Sequence, residues 1–100
     1  MSLERWGYQF DGPFYYSESL RELPGVYVVW CLFHNYLNIL DVGESDNVKE
    51  RLGSHERRDC WKNKCPGIIQ HSAAYISDQA ERLRLEKLIR NSEIVPCGER

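Results

Sequence analysis

One hundred residues make one domain, long enough to fold alone around a moderate core. A hydrophobic share of 42% and a charged share of 28% exclude a disordered or low-complexity chain. A formal net charge of -2 argues against a strong non-specific nucleic-acid binder, and no apolar run approaches the length of a membrane span, so a cytoplasmic domain with no membrane partner is expected.

Met1 to Leu23 is aromatic and turn-rich, with Asp11-Gly12-Pro13 as a turn signal. It is expected to lie against the sheet as an extra N-terminal strand or loop. Pro24 and Gly25 then punctuate the entry to a first strand, in which Val26, Tyr27, Val28, Val29 and Trp30 suit a pleated, packed surface. Leu37 to Val42 forms a second apolar run. Between the two, Phe33-His34-Asn35-Tyr36 supplies a turn in which Asn35 takes a left-handed conformation.

Gly43 ends the second strand. Asn47 and Glu50 have the spacing of a capping box, so a helix is predicted from about Asn47 to Arg58, with Arg51 and His55 one turn apart on it. Gly53 weakens that helix by roughly 1 kcal/mol relative to alanine. Residues Asp59 to Gly67 read as a loop, and Ile68 to Ile76 as a third strand. A second helix runs from about Asp78 to Arg90, with Leu83, Leu85, Leu88 and Ile89 as its apolar positions and Ser77 or Asp78 as its cap. The order is β-β-α-β-α. The fold class is α+β, a three-stranded, mainly antiparallel sheet flanked by helices, with a core from about residue 24 to residue 90.

Charge is unevenly spread. Lys49, Arg51, Arg57, Arg58, Lys62 and Lys64 face Glu50, Glu56 and Asp59 within one segment, a local excess of three positive charges. Lys49, Arg57, Arg58 and Lys62 are therefore candidate nucleic-acid contacts, against the plainer reading of a solvated helix face. Cys31, Cys60, Cys65 and Cys97 are expected to be free thiols in a reducing compartment. The set His55, Cys60, Cys65 and His71 lacks the spacing of common zinc modules.

Three stretches carry a family resemblance. Gly25-Val26-Tyr27, Asp41-Val42-Gly43 and the helix entry Gly43-Glu44-Ser45-Asp46-Asn47-Val48-Lys49-Glu50-Arg51 resemble, in that order, the motifs of the GIY-YIG nuclease superfamily. Leu85-Glu86-Lys87-Leu88-Ile89 adds a fourth. The likeness covers roughly Pro24 to Ile89. It departs at the second motif, where Asp41 replaces a tyrosine, and at the end of the chain, where no asparagine follows Pro96.

The resemblance implies a metal-dependent endonuclease that hydrolyses DNA phosphodiester bonds. Glu86 would hold one Mg²⁺ or Mn²⁺, Arg51 would clamp the phosphate, and Tyr27, with His55, would position or deprotonate water. Read as ordinary structure, Glu86 pairs with Arg82 or Arg90, Tyr27 is a core tyrosine, Arg51 pairs with Glu50 or Glu56, and His55 is a helix-face histidine. Asp41 has three readings: a repulsive carboxylate that impairs catalysis, a second metal ligand or base, or a strand-end cap. DNA is the expected partner and RNA a further one, with specificity supplied by a partner protein or a homodimer. The alternative is a catalytically inactive module of the same fold that binds nucleic acid or protein.

Overall fold

The structure, a computed structural model, describes residues 2–98. Strands β1 (Ser2–Arg5), β2 (Tyr8–Phe14), β3 (Gly25–Phe33), β4 (Tyr36–Ser45) and β5 (Ile68–Tyr75) form one antiparallel sheet in the order β1-β2-β5-β3-β4. Helices α1 (Val48–Gly53) and α2 (Arg58–Lys64) cover one face, and α3 (Gln79–Ser92) covers the other. The α+β class matches the sequence expectation, while the core order is β-β-α-α-β-α, one helix more than the expected β-β-α-β-α. The sheet has five strands rather than three, because the N-terminal segment contributes two strands of its own.

That segment folds back at Trp6 and Gly7, both at positive φ, which joins β1 to β2 through a two-residue turn. Trp6 accepts the conformation because its ring is held: it stacks on Trp30 at 6.1 Å and meets Phe10 edge-on at 5.6 Å. The β3–β4 turn uses the same device. His34 and Asn35 have φ of 54° and 68°, so the left-handed Asn35 is as expected, with His34 joining it.

Strand β3 is central and buried on both sides, which accounts for its unbroken apolar run. Val26, Val28 and Trp30 pack with Val42, Phe10 and the α3 residues Leu85 and Ile89. Tyr27, Val29 and Cys31 pack with Leu40, Val48, Leu52 and Trp61 under α1 and α2. On α3 the buried stripe is Arg82, Leu85 and Ile89, while of the four apolar positions noted from sequence Leu83 and Leu88 are about half exposed.

The helix predicted over 47–58 is two pieces. Asn47 caps α1 as foreseen, its side chain accepting from the Glu50 N–H. The reciprocal half of the box is absent: the Asn47 N–H donates to Ser45 Oγ. The helix stops at Gly53, and α2 then occupies much of the span expected as a loop. The cysteines also differ from expectation. Cys31 is bonded to Cys65 and Cys60 to Cys97, which ties α2 to β3 and to the C-terminal segment. The free-thiol expectation failed because these partners are 34 and 37 residues apart, with no local spacing to announce them. No helix among the described residues is long and apolar enough to cross a membrane.

Candidate active site

The site is built around the edge strand β4. Tyr27 on β3 stands opposite Gly43 on β4. A Cβ at Gly43 would collide with Oη and Cζ of Tyr27, so the absence of a side chain lets the phenol lean across the edge strand. The Tyr27 residue is 1% exposed. Burial is the main force that pushes its hydroxyl up to about 12, with the Arg51 charge pulling the other way.

His55 lies just past α1, in the turn before α2, so it does not share a helix with Arg51. It still reaches the same point: its Nε2 is 2.8 Å from Tyr27 Oη. The direction of that bond follows from the other ring nitrogen. The Arg57 backbone N–H donates to His55 Nδ1 at 3.1 Å, so Nδ1 holds a lone pair. The ring is neutral, since burial, followed by the charges of Arg51 and Arg57, brings its pKa down to about 4. Nε2 therefore carries the proton and donates it to Tyr27 Oη. This assigns His55 as a support for the phenol oxygen, not as a base that removes the Tyr27 proton.

Arg51 projects from α1 toward this pair, and its guanidinium is already occupied. Nη1 and Nη2 donate to the two carboxylate oxygens of Glu56 at 2.8 and 2.9 Å, a bidentate fork. Glu56 is exposed, and the Arg51 bond holds its carboxyl down at about 2.

Asp41 faces the same layer as Tyr27. A β-bulge between Val29 and Trp30 leaves Leu40 and Asp41 both turned toward α1 and α2. Asp41 is fully buried, and both its oxygens are engaged. Oδ2 accepts from Arg57 Nε at 2.7 Å and Trp61 Nε1 at 2.9 Å. Oδ1 accepts from Arg57 Nη2 at 3.2 Å and the Val42 N–H at 2.8 Å. Four donors fill a carboxylate's lone-pair sites, so Asp41 has no free lone pair to offer a metal in this arrangement. It is neither the strand cap nor the bare repulsive charge envisaged from sequence.

Glu86 approaches the β4 edge from the opposite layer. Arg90 donates to Glu86 Oε2 at 3.1 Å and, through Nη2, to the Val42 carbonyl at 2.7 Å. The Glu86 charge acts on the Tyr27 hydroxyl only as a minor influence beside burial. Arg90 engages Glu86 through Oε2, and Glu86 lines an open groove along α3 with Leu83, Lys87, Arg90 and Asn91. A single carboxylate is a hard-oxygen ligand that fits a largely hydrated Mg²⁺. The flanking Lys87 and Arg90 charges make that fit a weak one without a substrate phosphate. No group of three or more His, Cys, Asp or Glu among the described residues could hold a metal.

No family model, curated protein or solved structure matches this chain.

The proposed basic contacts divide. Arg57 is committed to Asp41, while Arg58 and Lys62 are exposed and Lys49 is half-buried beside Glu50 and Glu22. His55 and Cys60 do not join Cys65 and His71 as ligands, since both cysteines are in disulfides. Sequence reading missed Arg82 as a structural hub. It is buried and donates to Glu44, Asp46 and the carbonyls of Ile76 and Ser77. Its place on the stripe with Leu85 and Ile89 was the available signal.

Proposed function

We propose that this chain is a GIY-YIG-like, divalent-metal-dependent endonuclease domain acting on DNA phosphodiester bonds. The supporting observation is the 2.8 Å contact of Tyr27 Oη with His55 Nε2, with the charges of Arg51 and Glu86 both acting on the Tyr27 hydroxyl. The four residues lie up to 59 positions apart in sequence and come from β3, α1, the turn after α1, and α3. They are also the residues picked out by the motif resemblance.

In this reading the Arg51 fork takes a phosphate in place of the Glu56 carboxylate, which has the same bidentate geometry. Tyr27 receives a hydrogen bond from His55 and keeps its own proton to direct outward, so the phenol orients water at the phosphorus. With its pKa near 12 it serves as a donor and not as a base at neutral pH. A Mg²⁺ or Mn²⁺ on Glu86 would supply charge stabilisation to the phosphate oxygens. DNA is the preferred substrate, RNA the further one, and a partner protein or homodimer would add specificity. The two disulfides suit an oxidising setting and weigh against the cytoplasm expected from sequence.

A second reading has its own support. Tyr27 is 1% exposed and Arg51 is held by Glu56, which is the condition of a fold used for binding without cleavage. Nicking of supercoiled plasmid and of branched DNA by the purified protein with Mg²⁺ or Mn²⁺ separates the two. Cleavage lost in Glu86→Ala and in Arg51→Ala supports the nuclease. Absence of cleavage from wild type on DNA and RNA alike, with binding retained, favours the binding module.

A further inference from the structure

Beyond the edge-strand site lies a second feature on the same face of the molecule. An open groove of about 360 Å³ runs between the end of β2, the start of β5 and the N-terminus of α2, and Tyr15, Tyr16, Arg58, Ile68 and His71 line it. Tyr15 and Tyr16 are 60% and 65% exposed, unlike the buried Tyr27 and Phe10. Their rings meet edge to face at 4.7 Å, so each holds the other upright over the groove. Arg58 is exposed, and its hydrogen bond to the Gly53 carbonyl is long at 3.4 Å, which leaves most of its donors facing outward.

His71 is a fixed acceptor. Its Nδ1 is 3.2 Å from the Phe14 carbonyl, which can only accept, so Nδ1 carries the proton and Nε2 the lone pair. The groove thus combines two aromatic faces with a planar cationic donor and a neutral acceptor. Arg58 and Glu18 act on His71 with opposite charges, so the place is not a strong electrostatic trap, and ring stacking must supply most of any affinity.

One buried ring, that of Trp61, stands between the groove and the candidate active site. Trp61 has its ring 4.8 Å from that of His55 and 6.3 Å from that of His71. The Arg58 contact to Gly53 bridges α2 to the end of α1, the helix that carries Arg51.

We propose that this groove is a subsite for an unpaired nucleobase of a single strand whose backbone runs past Arg51. The base stacks on Tyr15 or Tyr16, with Arg58 donating to its edge or stacking on its other face and His71 Nε2 accepting from an exocyclic amine. The inference rests on the nucleic-acid reading of the Arg51 site and adds a substrate class to it: single-stranded or splayed ends in preference to intact duplex.

The test is fluorescence anisotropy with a labelled oligodeoxycytidylate, whose bases carry the exocyclic amine, and with a labelled duplex, over a salt series. Wild type, Tyr15→Ala/Tyr16→Ala, Tyr15→Phe/Tyr16→Phe and Arg51→Ala are compared. The double alanine variant should bind the single strand about tenfold more weakly or worse. It should keep the wild-type salt slope and duplex affinity, because stacking releases no counterions. The double phenylalanine variant should bind like wild type. Arg51→Ala should weaken both ligands and lower the salt slope. An alanine variant that binds the single strand like wild type overturns the groove and leaves the Arg51 reading standing. Equal losses on duplex and single strand, in a variant whose thermal melt is unchanged, overturn base stacking. Wild type that binds neither ligand overturns both readings together.

Discussion

Arg57 closes over Asp41 with two hydrogen bonds, Nε to Oδ2 at 2.7 Å and Nη2 to Oδ1 at 3.2 Å. Asp41 is fully buried and Arg57 is not, so the guanidinium acts as the solvent-side cover of a buried charge. The relationship turns an expected defect into part of the framework. The buried Asp41 carboxylate has its counter-charge within the protein itself.

Arg57→Ala should therefore act on stability. It strands a buried carboxylate, which costs on the order of 3–5 kcal/mol. Thermal and urea melts would show it. Replacing both partners, Asp41→Leu with Arg57→Leu, should recover a large part of the loss. An Arg57→Ala protein that melts like wild type but binds oligonucleotides poorly would restore Arg57 to the nucleic-acid contacts expected from sequence.

Glu56→Gln should release the Arg51 fork. Anisotropy with duplex DNA should report affinity up to roughly fivefold tighter, the range that opening one exposed ion pair allows. The melting temperature should barely move, because the Arg51–Glu56 pair lies at an exposed position. Weaker binding in this variant would mean that Glu56 orients Arg51 for its ligand instead of competing with it.

Stability should fall as the solution is acidified from about pH 6.5 toward pH 4, and His55 gives part of the reason. The unfolded histidine takes up a proton near pH 6.5, whereas the folded one, buried and flanked by Arg51 and Arg57, resists until about 4. The unfolded state therefore binds more protons over that window. Stability present above pH 6.5 is lost on the way down, by roughly 3 kcal/mol at most. His55→Asn keeps an acceptor for the Arg57 N–H and does not titrate. Urea melts across this range should show a shallower pH slope for the variant than for wild type, and parallel slopes would assign the loss to the carboxylates instead.

Reduction should destabilise the domain strongly. Each disulfide closes a loop of about 35 residues, and chain entropy assigns roughly 4 kcal/mol to such a closure. Melts with and without dithiothreitol measure the effect. A protein that melts alike in both would be able to work in a reducing compartment.

The sequence alone determined those features whose cause lies within a few residues. The β3–β4 hairpin follows from two apolar runs joined at a residue that tolerates positive φ, and the caps at Asn47 and Asp78 follow from side chains that satisfy an N–H three residues on. The candidate set Tyr27, Arg51, His55 and Glu86 was also legible, through motif spacing. The break after Gly53 was only hinted at by the glycine's low helix propensity. The first two strands were harder to see, because β1 alternates exposed and half-buried positions and becomes a strand only by pairing with β2. Tertiary structure decided everything that depends on distant partners: Arg57 over Asp41, Glu56 in the Arg51 fork, Cys31 with Cys65, and the tautomer of His55. Burial and hydrogen bonding fix charge state and pairing, and both are set by which residues the fold brings together, which local spacing does not encode.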